Sequence, residues 1–285
     1  MKTAMMNKSR SLLLLSVLAV LFAACEEGII DNAILSQDNY LTFEALESTT
    51  FTFSQNALQY SLDGGATWAT LRAGKASPTI QAGKRIMWKA SGLAPGSSDS
   101  NQGIGSFSST GKFNAEGNVM SLLYGDNLVG QTSLNGKNYA FYRLFYNSKV
   151  VNAGNLVLPA TTLAEHCYHY MFFGCINLTN APSLPATTLA NSCYEGMFYG
   201  CTSLTTAPNL PATTLARHCY DGMFTGCTIL CFIKCLATDI SATGCTYIWV
   251  SRVATSGTFV KNASMTGWTT GKDGIPSGWT VQDAD

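Results

Sequence analysis

The stretch LPATTLANSCYEGMFYGCTSLTTAPN, residues 184–209, is the middle one of three consecutive copies of a single pattern. The heptapeptide LPATTLA stands identically at 158–164, 184–190 and 210–216, so the period is 26 residues both times. A unit this short cannot bury its own apolar side chains, whereas stacked copies share a continuous core. The sequence therefore predicts an array in which equivalent residues of successive copies form columns.

Each copy divides into two limbs with different patterns. The segment SLTTAPNLP, residues 203–211, sets Leu204, Ala207 and Leu210 among polar neighbours, which favours a short extended segment. Its two prolines cannot donate to a ladder and limit the strand to a few residues. The segment LARHCYDGMFTGC, residues 215–227, favours a helical turn or short helix that ends at Gly226, because glycine suits a helix C-terminus.

Weaker copies flank the three clean ones. Upstream, if one residue is inserted, Leu144-Phe145 matches Met197-Phe198. Downstream, Leu236 and Cys245 keep the 26-residue period. Degraded terminal copies are expected, because the ends of an array must face solvent.

Six of the ten cysteines fall on the period and form two columns, Cys167, Cys193 and Cys219 in one and Cys175, Cys201 and Cys227 in the other. The flanking copies fill the same slots with Ala140, Ser148 and Val253, so the slots accept any small side chain. Neighbours in a column have parallel Cβ vectors about 4.8 Å apart, which disfavours disulfides. We expect a structural ladder of buried free thiols. The alternative, a disulfide off the ladder, would join two of Cys231, Cys235 and Cys245.

The repeats resemble the BspA-like, or Treponema-type, leucine-rich repeat. In the middle copy the residues that carry the resemblance are an aromatic, a cysteine, a leucine and a proline, namely Phe198, Cys201, Leu204 and Pro211. The resemblance covers roughly residues 139–253. It implies a right-handed solenoid and a class of surface proteins associated with adhesion, and it supplies no catalytic residues.

The regions outside the repeats have strand patterns. Residues 38–135 hold no cysteine and many short alternating stretches, which indicates a compact antiparallel β domain resembling a sandwich. Residues 136–253 form the predicted solenoid and residues 254–285 a β-rich C-terminal cap. The predicted fold class is thus mainly β with short helices.

The N-terminus has the pattern of a lipoprotein signal peptide. Residues 1–24 combine basic residues, a fourteen-residue apolar run and the sequence LFAA before Cys25, which is the expected lipidation site. Residues 25–37 form the lipidated tether, in which Glu26 and Glu27 resemble a surface-export tag. We expect an outer membrane lipoprotein that is exposed at the cell surface and contacts the membrane through its lipid anchor alone.

Charge and motifs exclude several functions. Removal of the leader takes away three of the 17 basic residues and none of the 17 acidic ones, and no basic block remains, so nucleic-acid binding is not supported. Nucleophile-elbow, zincin, phosphate-loop and dinucleotide-binding motifs are absent from the sequence.

The cluster EHCYHY, residues 165–170, shows no closed set of metal ligands, so we expect no metal and no cofactor. The segment SLDGGATW, residues 61–68, matches the Asp-box of sialidases and other β-propellers, where it is a turn device.

The candidate ligand-facing residues are the variable columns of the array. These columns are Glu165, Asn191 and Arg217; His166, Ser192 and His218; His169, Glu195 and Asp221; and Phe173, Tyr199 and Thr225. We expect a non-catalytic, adhesin-like lipoprotein that binds a host or neighbouring-cell protein or glycan through these columns. The alternative is an envelope assembly protein that binds another bacterial protein. A glycan-active enzyme, suggested by the lone Asp-box, is a remote alternative.

Overall fold

The computed structural model describes residues 39–90, 92–98 and 101–285. The predicted signal peptide, Cys25 and the tether lie outside these described residues. Within them the protein is mainly β, with several sheets that do not close on themselves and one short α-helix. The described part holds no helix with the length and apolar character needed to cross a bilayer.

In the part of the chain that the structure describes, nine strands precede the repeats, and every ladder among them is antiparallel. They are β1 (Leu41–Ala45), β2 (Phe51–Phe53), β3 (Leu58–Ser61), β4 (Ala69–Leu71), β5 (Arg85–Lys89), β6 (Gly96–Ser98), β7 (Asn101–Gly103), β8 (Phe107–Ser109) and β9 (Phe113–Asn118). The largest sheet runs β9-β1-β5-β3-β4, with β2-β8 and β6-β7 as separate pairs.

Aromatic side chains fill the core of this region. The ring of Phe43 lies 5.2 Å from Phe51 and 4.8 Å from both Phe107 and Phe113, and all four residues are buried. The helix α1 (Ser121–Tyr124) follows β9 and continues into a 3-10 turn, Gly125–Asn127. The Ser121 hydroxyl donates to the Trp88 carbonyl at 2.9 Å and accepts from the Leu41 amide at 3.1 Å, which fixes α1 against β5 and β1.

The repeats continue the same sheet. Strands β10 (Val150–Asn152) and β11 (Leu156–Val157) both pair in parallel with β9. Phe145 also joins the upstream core, where its ring lies 5.7 Å from Phe43. The predicted β domain and the predicted solenoid are therefore joined, in their described residues, by shared strand pairing and a shared core.

The second limb of each repeat is a run of overlapping turns, and the predicted helix ending at Gly226 is wrong. Every second backbone amide donates a hydrogen bond within the limb; for example, the Met197 amide donates to the Tyr194 carbonyl at 3.1 Å. The alternate amides bond to the next copy, as Tyr194 N does to Cys219 O at 3.1 Å. Every fourth residue has positive φ, here Ser192 (51°), Gly196 (56°) and Gly200 (72°), a conformation that an α-helix excludes.

Equivalent rings of successive copies stack in columns. Phe198 lies between Phe172 and Phe224, with centroids 5.6 and 5.8 Å away and interplanar angles of 6° and 3°. Phe145 stacks on Phe172 at 5.2 Å, which agrees with the inserted residue in the upstream copy. Tyr168, Tyr194 and Tyr220 form a second buried column. The copies therefore share one core.

The chain ends in a parallel three-stranded sheet. Its strands are β12 (Phe232–Cys235), β13 (Thr258–Lys261) and β14 (Thr280–Asp283), in that order. Trp249 packs against Phe259 and Trp268 at 6.1 and 5.6 Å, so aromatic rings cover the last copy.

Candidate binding surface of the repeats

The first two variable columns line one surface pocket. It has a volume of about 230 Å³ and is lined by Glu165, His166, Asn191, Ser192, Arg217 and His218, two residues from each clean copy. Glu165, Asn191 and Arg217 are exposed, and the Asn191 amide donates to Glu165 Oε1 at 3.0 Å. The pocket thus offers a carboxylate, an amide, imidazoles and a guanidinium to one ligand.

Backbone conformation explains part of the residue choice in the second column. His166, Ser192 and His218 have φ of 55°, 51° and 51°. Histidine is one of the few types enriched in this left-handed region, so a histidine here has a conformational reason as well as a chemical one.

Burial corrects the expected exposure of two candidates. Ser192 and Thr225 have relative exposures of 6% and 3%, so neither presents a free side chain. Ser192 lies at the wall of the pocket. Thr225 lies in the aromatic column, beyond Tyr199, where it donates to the Ile248 carbonyl. The small side chain at each position is explained by packing.

The second and third columns meet in a compact group of polar side chains. His166 Nδ1 and His169 Nδ1 are 3.0 Å apart, and His169 Nε2 lies 3.5 Å from Glu195 Oε1. Burial, together with the nearby charges of His166 and Arg143, lowers the pKa of His169 to about 3. Burial also raises the pKa of Glu195, against the hydrogen bond from Ser192. In the next copy, His218 Nδ1 donates to Asp221 at 2.9 Å.

The fourth column is a ladder of half-buried rings. Phe173 stacks on Tyr199 at 4.7 Å and 10°, and on Tyr146 of the upstream copy at 5.0 Å and 11°. Stacked in this way, the rings present edges and not faces to solvent. Arg252 Nη2 donates to the Tyr199 hydroxyl at 3.3 Å, which covers the downstream end.

The upstream copy adds aromatic residues that the column assignment missed. Tyr139 stacks on His166 with centroids 4.6 Å apart and an angle of 2°. The guanidinium of Arg143 lies 4.9, 4.8 and 5.6 Å from the ring centroids of Tyr142, Tyr146 and Tyr170. The sequence could have indicated these residues, because the alignment with one inserted residue puts Tyr139, Tyr142 and Tyr146 in three of the variable columns.

The six cysteines of the two columns are free thiols with no exposed surface. Burial raises the pKa of Cys175 and Cys227 to about 12. The thiols donate to backbone carbonyls, Cys175 to Phe145 at 2.9 Å and Cys227 to Phe198 at 3.0 Å. A protonated, enclosed thiol is a poor nucleophile, and the columns act as small packing groups.

The alternative of a disulfide off the ladder holds for Cys231, which is disulfide-bonded, but the expected pairing within the trio is wrong. Cys235 and Cys245 are both free thiols, so neither of them is the partner of Cys231. Cys235 is fully buried in β12, where its thiol pKa is raised to about 12 by burial.

The Asp-box forms the turn between β3 and β4. Asp63 accepts from the Thr67 amide at 2.9 Å, from the Thr67 hydroxyl at 2.6 Å and from Ser61 at 2.7 Å. These hydrogen bonds lower the pKa of Asp63 to about 2. Trp68 Nε1 donates to the Gly65 carbonyl at 3.0 Å. Turn formation therefore explains the residue types at the motif positions, and no role in substrate binding is needed to explain them.

Comparison with protein-family models, with curated proteins and with solved structures finds no match for this chain. Function is therefore argued from the repeats and from the surface they form.

Proposed function

We propose that the protein is a non-catalytic cell-surface lipoprotein that binds a protein or glycan ligand through its repeats. The observation that carries this proposal is the pocket of about 230 Å³ whose lining comes from three consecutive copies. All six lining residues belong to variable columns, while the columns beneath them are nearly invariant and buried. A constant core that supports a variable, polar surface is typical of repeat proteins that bind ligands.

The resemblance to BspA-like leucine-rich repeats supports the same proposal. We interpret the stacked copies as a short solenoid of that type, preceded by a β-sandwich-like domain and closed by the parallel sheet of β12, β13 and β14. Rung-to-rung hydrogen bonds and the ring columns support the solenoid, although the turn-built limb differs from the expected helix. Cys25 remains the proposed lipidation site and the outer membrane the proposed location.

The mixed chemistry of the pocket indicates the kind of ligand. Arg217 supplies a cation and Glu165 an anion, with Asn191 between them in the column. A polyanion would be repelled by Glu165, so we favour a neutral or zwitterionic group such as a peptide segment or an uncharged sugar.

Binding to arrays of host matrix proteins and glycans tests the proposal. Arg217→Ala should weaken the recovered interaction about tenfold or more, because it removes a charged hydrogen-bond donor. Arg72→Ala is the matched control, since Arg72 is also exposed but lies in the Asp-box region, away from the pocket. Equal affinity of both variants and the parent would contradict the pocket assignment.

One observation favours the envelope-assembly alternative. Strand β14 is the outer strand of its parallel sheet, and all four of its residues are exposed. Such an edge accepts a further strand from a partner. Recovery of bacterial envelope proteins alone in a pull-down, with no array ligand, would favour this second function.

A further inference from the structure

We propose that His166, His169 and Glu195 form a binding site for one divalent transition-metal ion of the zinc class. The three residues come from two adjacent copies, and one donor atom from each can be chosen so that all lie within 4.8 Å of one another. No other group of this kind occurs among the described residues. The proposal does not rest on the proposed ligand binding, although His166 also lines the pocket.

The distances suit a small tetrahedral ion. Zinc bonds of about 2.0–2.2 Å in tetrahedral geometry place neighbouring ligand atoms about 3.3–3.6 Å apart. The distance of 3.5 Å between His169 Nε2 and Glu195 Oε1 lies within that spacing. His166 Nδ1 lies 3.0 Å from the other ring nitrogen of His169, so binding of one ion requires one nitrogen of His169 and a rotation of an imidazole ring. One donor atom from each of the three residues already lies within 4.8 Å of the others.

The site contains a polar atom that the protein itself leaves unsatisfied. His169 Nε2 is buried and has no hydrogen-bond partner of acceptable geometry, and its Glu195 contact is long. The His169 side chain is only 12% exposed. An orphaned buried nitrogen costs stability unless something satisfies it, and a metal ion would do so.

The donor set also selects the class of ion. Two imidazoles and one carboxylate suit zinc, nickel or copper, whereas calcium and magnesium prefer oxygen donors alone. Glu195 receives a hydrogen bond from Ser192, the kind of outer contact that orients a ligating carboxylate. With three protein ligands, a fourth position remains for water.

The next copy provides matched controls. His218 occupies the column of His166 with nearly the same φ, and Asp221 occupies the column of His169 and Glu195. That copy has a single histidine and therefore lacks the three-ligand set. Two comparisons separate the loss of a metal ligand from a non-specific effect on the fold: His166→Ala against His218→Ala, and Glu195→Gln against Asp221→Asn.

The experiment is titration of the chelator-treated, purified protein with Zn²⁺ by calorimetry. We expect one saturable site, no comparable response to Mg²⁺ or Ca²⁺, and a loss of affinity above about 100-fold for His166→Ala and Glu195→Gln. His218→Ala and Asp221→Asn should bind as the parent does. Circular dichroism identifies any variant that has unfolded, and Glu195→Gln remains informative if His166→Ala does.

Cobalt substitution identifies the donor atoms. Co²⁺ bound at this site should show ligand-field bands without a thiolate-to-cobalt charge-transfer band, because the donors are nitrogen and oxygen. Absence of saturable Zn²⁺ binding, unchanged affinity in folded His166→Ala and Glu195→Gln, or a thiolate band would each overturn the proposal.

Discussion

Gly196 and Gly222 are equivalent glycines whose replacement by alanine should have unequal effects. Both have positive φ, 56° and 60°, at the same slot of adjacent copies. A Cβ on Gly196 would overlap the ring of Tyr170, whereas a Cβ on Gly222 would meet nothing nearer than Tyr199 Cδ2 at 3.8 Å. Tyr170 cannot withdraw freely, because the ring of His169 lies 4.0 Å away.

The magnitudes follow from two separate costs. Alanine in the left-handed region costs about 1–2 kcal/mol, and this term applies to both positions. Overlap with a packed ring adds about 1–3 kcal/mol at Gly196 alone. Gly222→Ala should therefore lower the free energy of unfolding by about 1–2 kcal/mol, and Gly196→Ala by about 2–5 kcal/mol.

Equilibrium urea unfolding in reducing buffer measures both values. Combining Gly196→Ala with Tyr170→Ala in a double-mutant cycle removes the overlap, so the two substitutions should be less destabilising together than the sum of their separate costs. Equal destabilisation by Gly196→Ala and Gly222→Ala, or a cycle with no coupling, would refute the stacking of Tyr170 over Gly196.

Two further perturbations probe the same core. Phe198→Ala removes a fully buried ring between Phe172 and Phe224 and should lower the free energy of unfolding by about 3–5 kcal/mol. Tyr199→Ala, at the next and half-exposed position, should lower it by about 1 kcal/mol or less. Equal urea midpoints for the two variants would contradict the assignment of buried and exposed faces. The free energy of unfolding should also fall as pH rises from about 9 towards 12. In the unfolded chain the thiols lose their protons above their ordinary pKa of 9.0, whereas in the folded protein burial raises the pKa of Cys175 and Cys227 to about 12, so they keep their protons. Urea midpoints across this range should fall less steeply for the Cys175→Ala/Cys227→Ala double variant, and an identical slope would count against the burial of these thiols.

Local pattern was sufficient for the core but not for the second limb. The mainly β class is confirmed, because alternation reports burial on one face of a sheet. Gly226 by itself favours a helix C-terminus, which the structure does not form. Glycines four residues apart, Gly196 with Gly200 and Gly222 with Gly226, were the available signal of repeated positive φ.

The cluster of His166, His169 and Glu195 could not be predicted from the sequence, because it also depends on how the copies stack. His166 and His169 are visible in EHCYHY, but the sequence by itself shows no closed set of metal ligands around them. Glu195 stands 26 residues after His169, and only stacking puts its carboxylate 3.5 Å from His169 Nε2. The pocket likewise requires three copies side by side.

The period, the columns and the small buried cysteine slots were determined by the sequence itself, because residues spaced 26 apart must repeat the same environment once copies stack. The tertiary structure alone decided where the backbone hydrogen bonds go. Every second amide of the limb bonds to the following copy, so a segment that could have been a helix becomes a series of turns. The same pairing joins β10 and β11 to β9 and brings His169 to Glu195, contacts that depend on how copies meet and not on local preference.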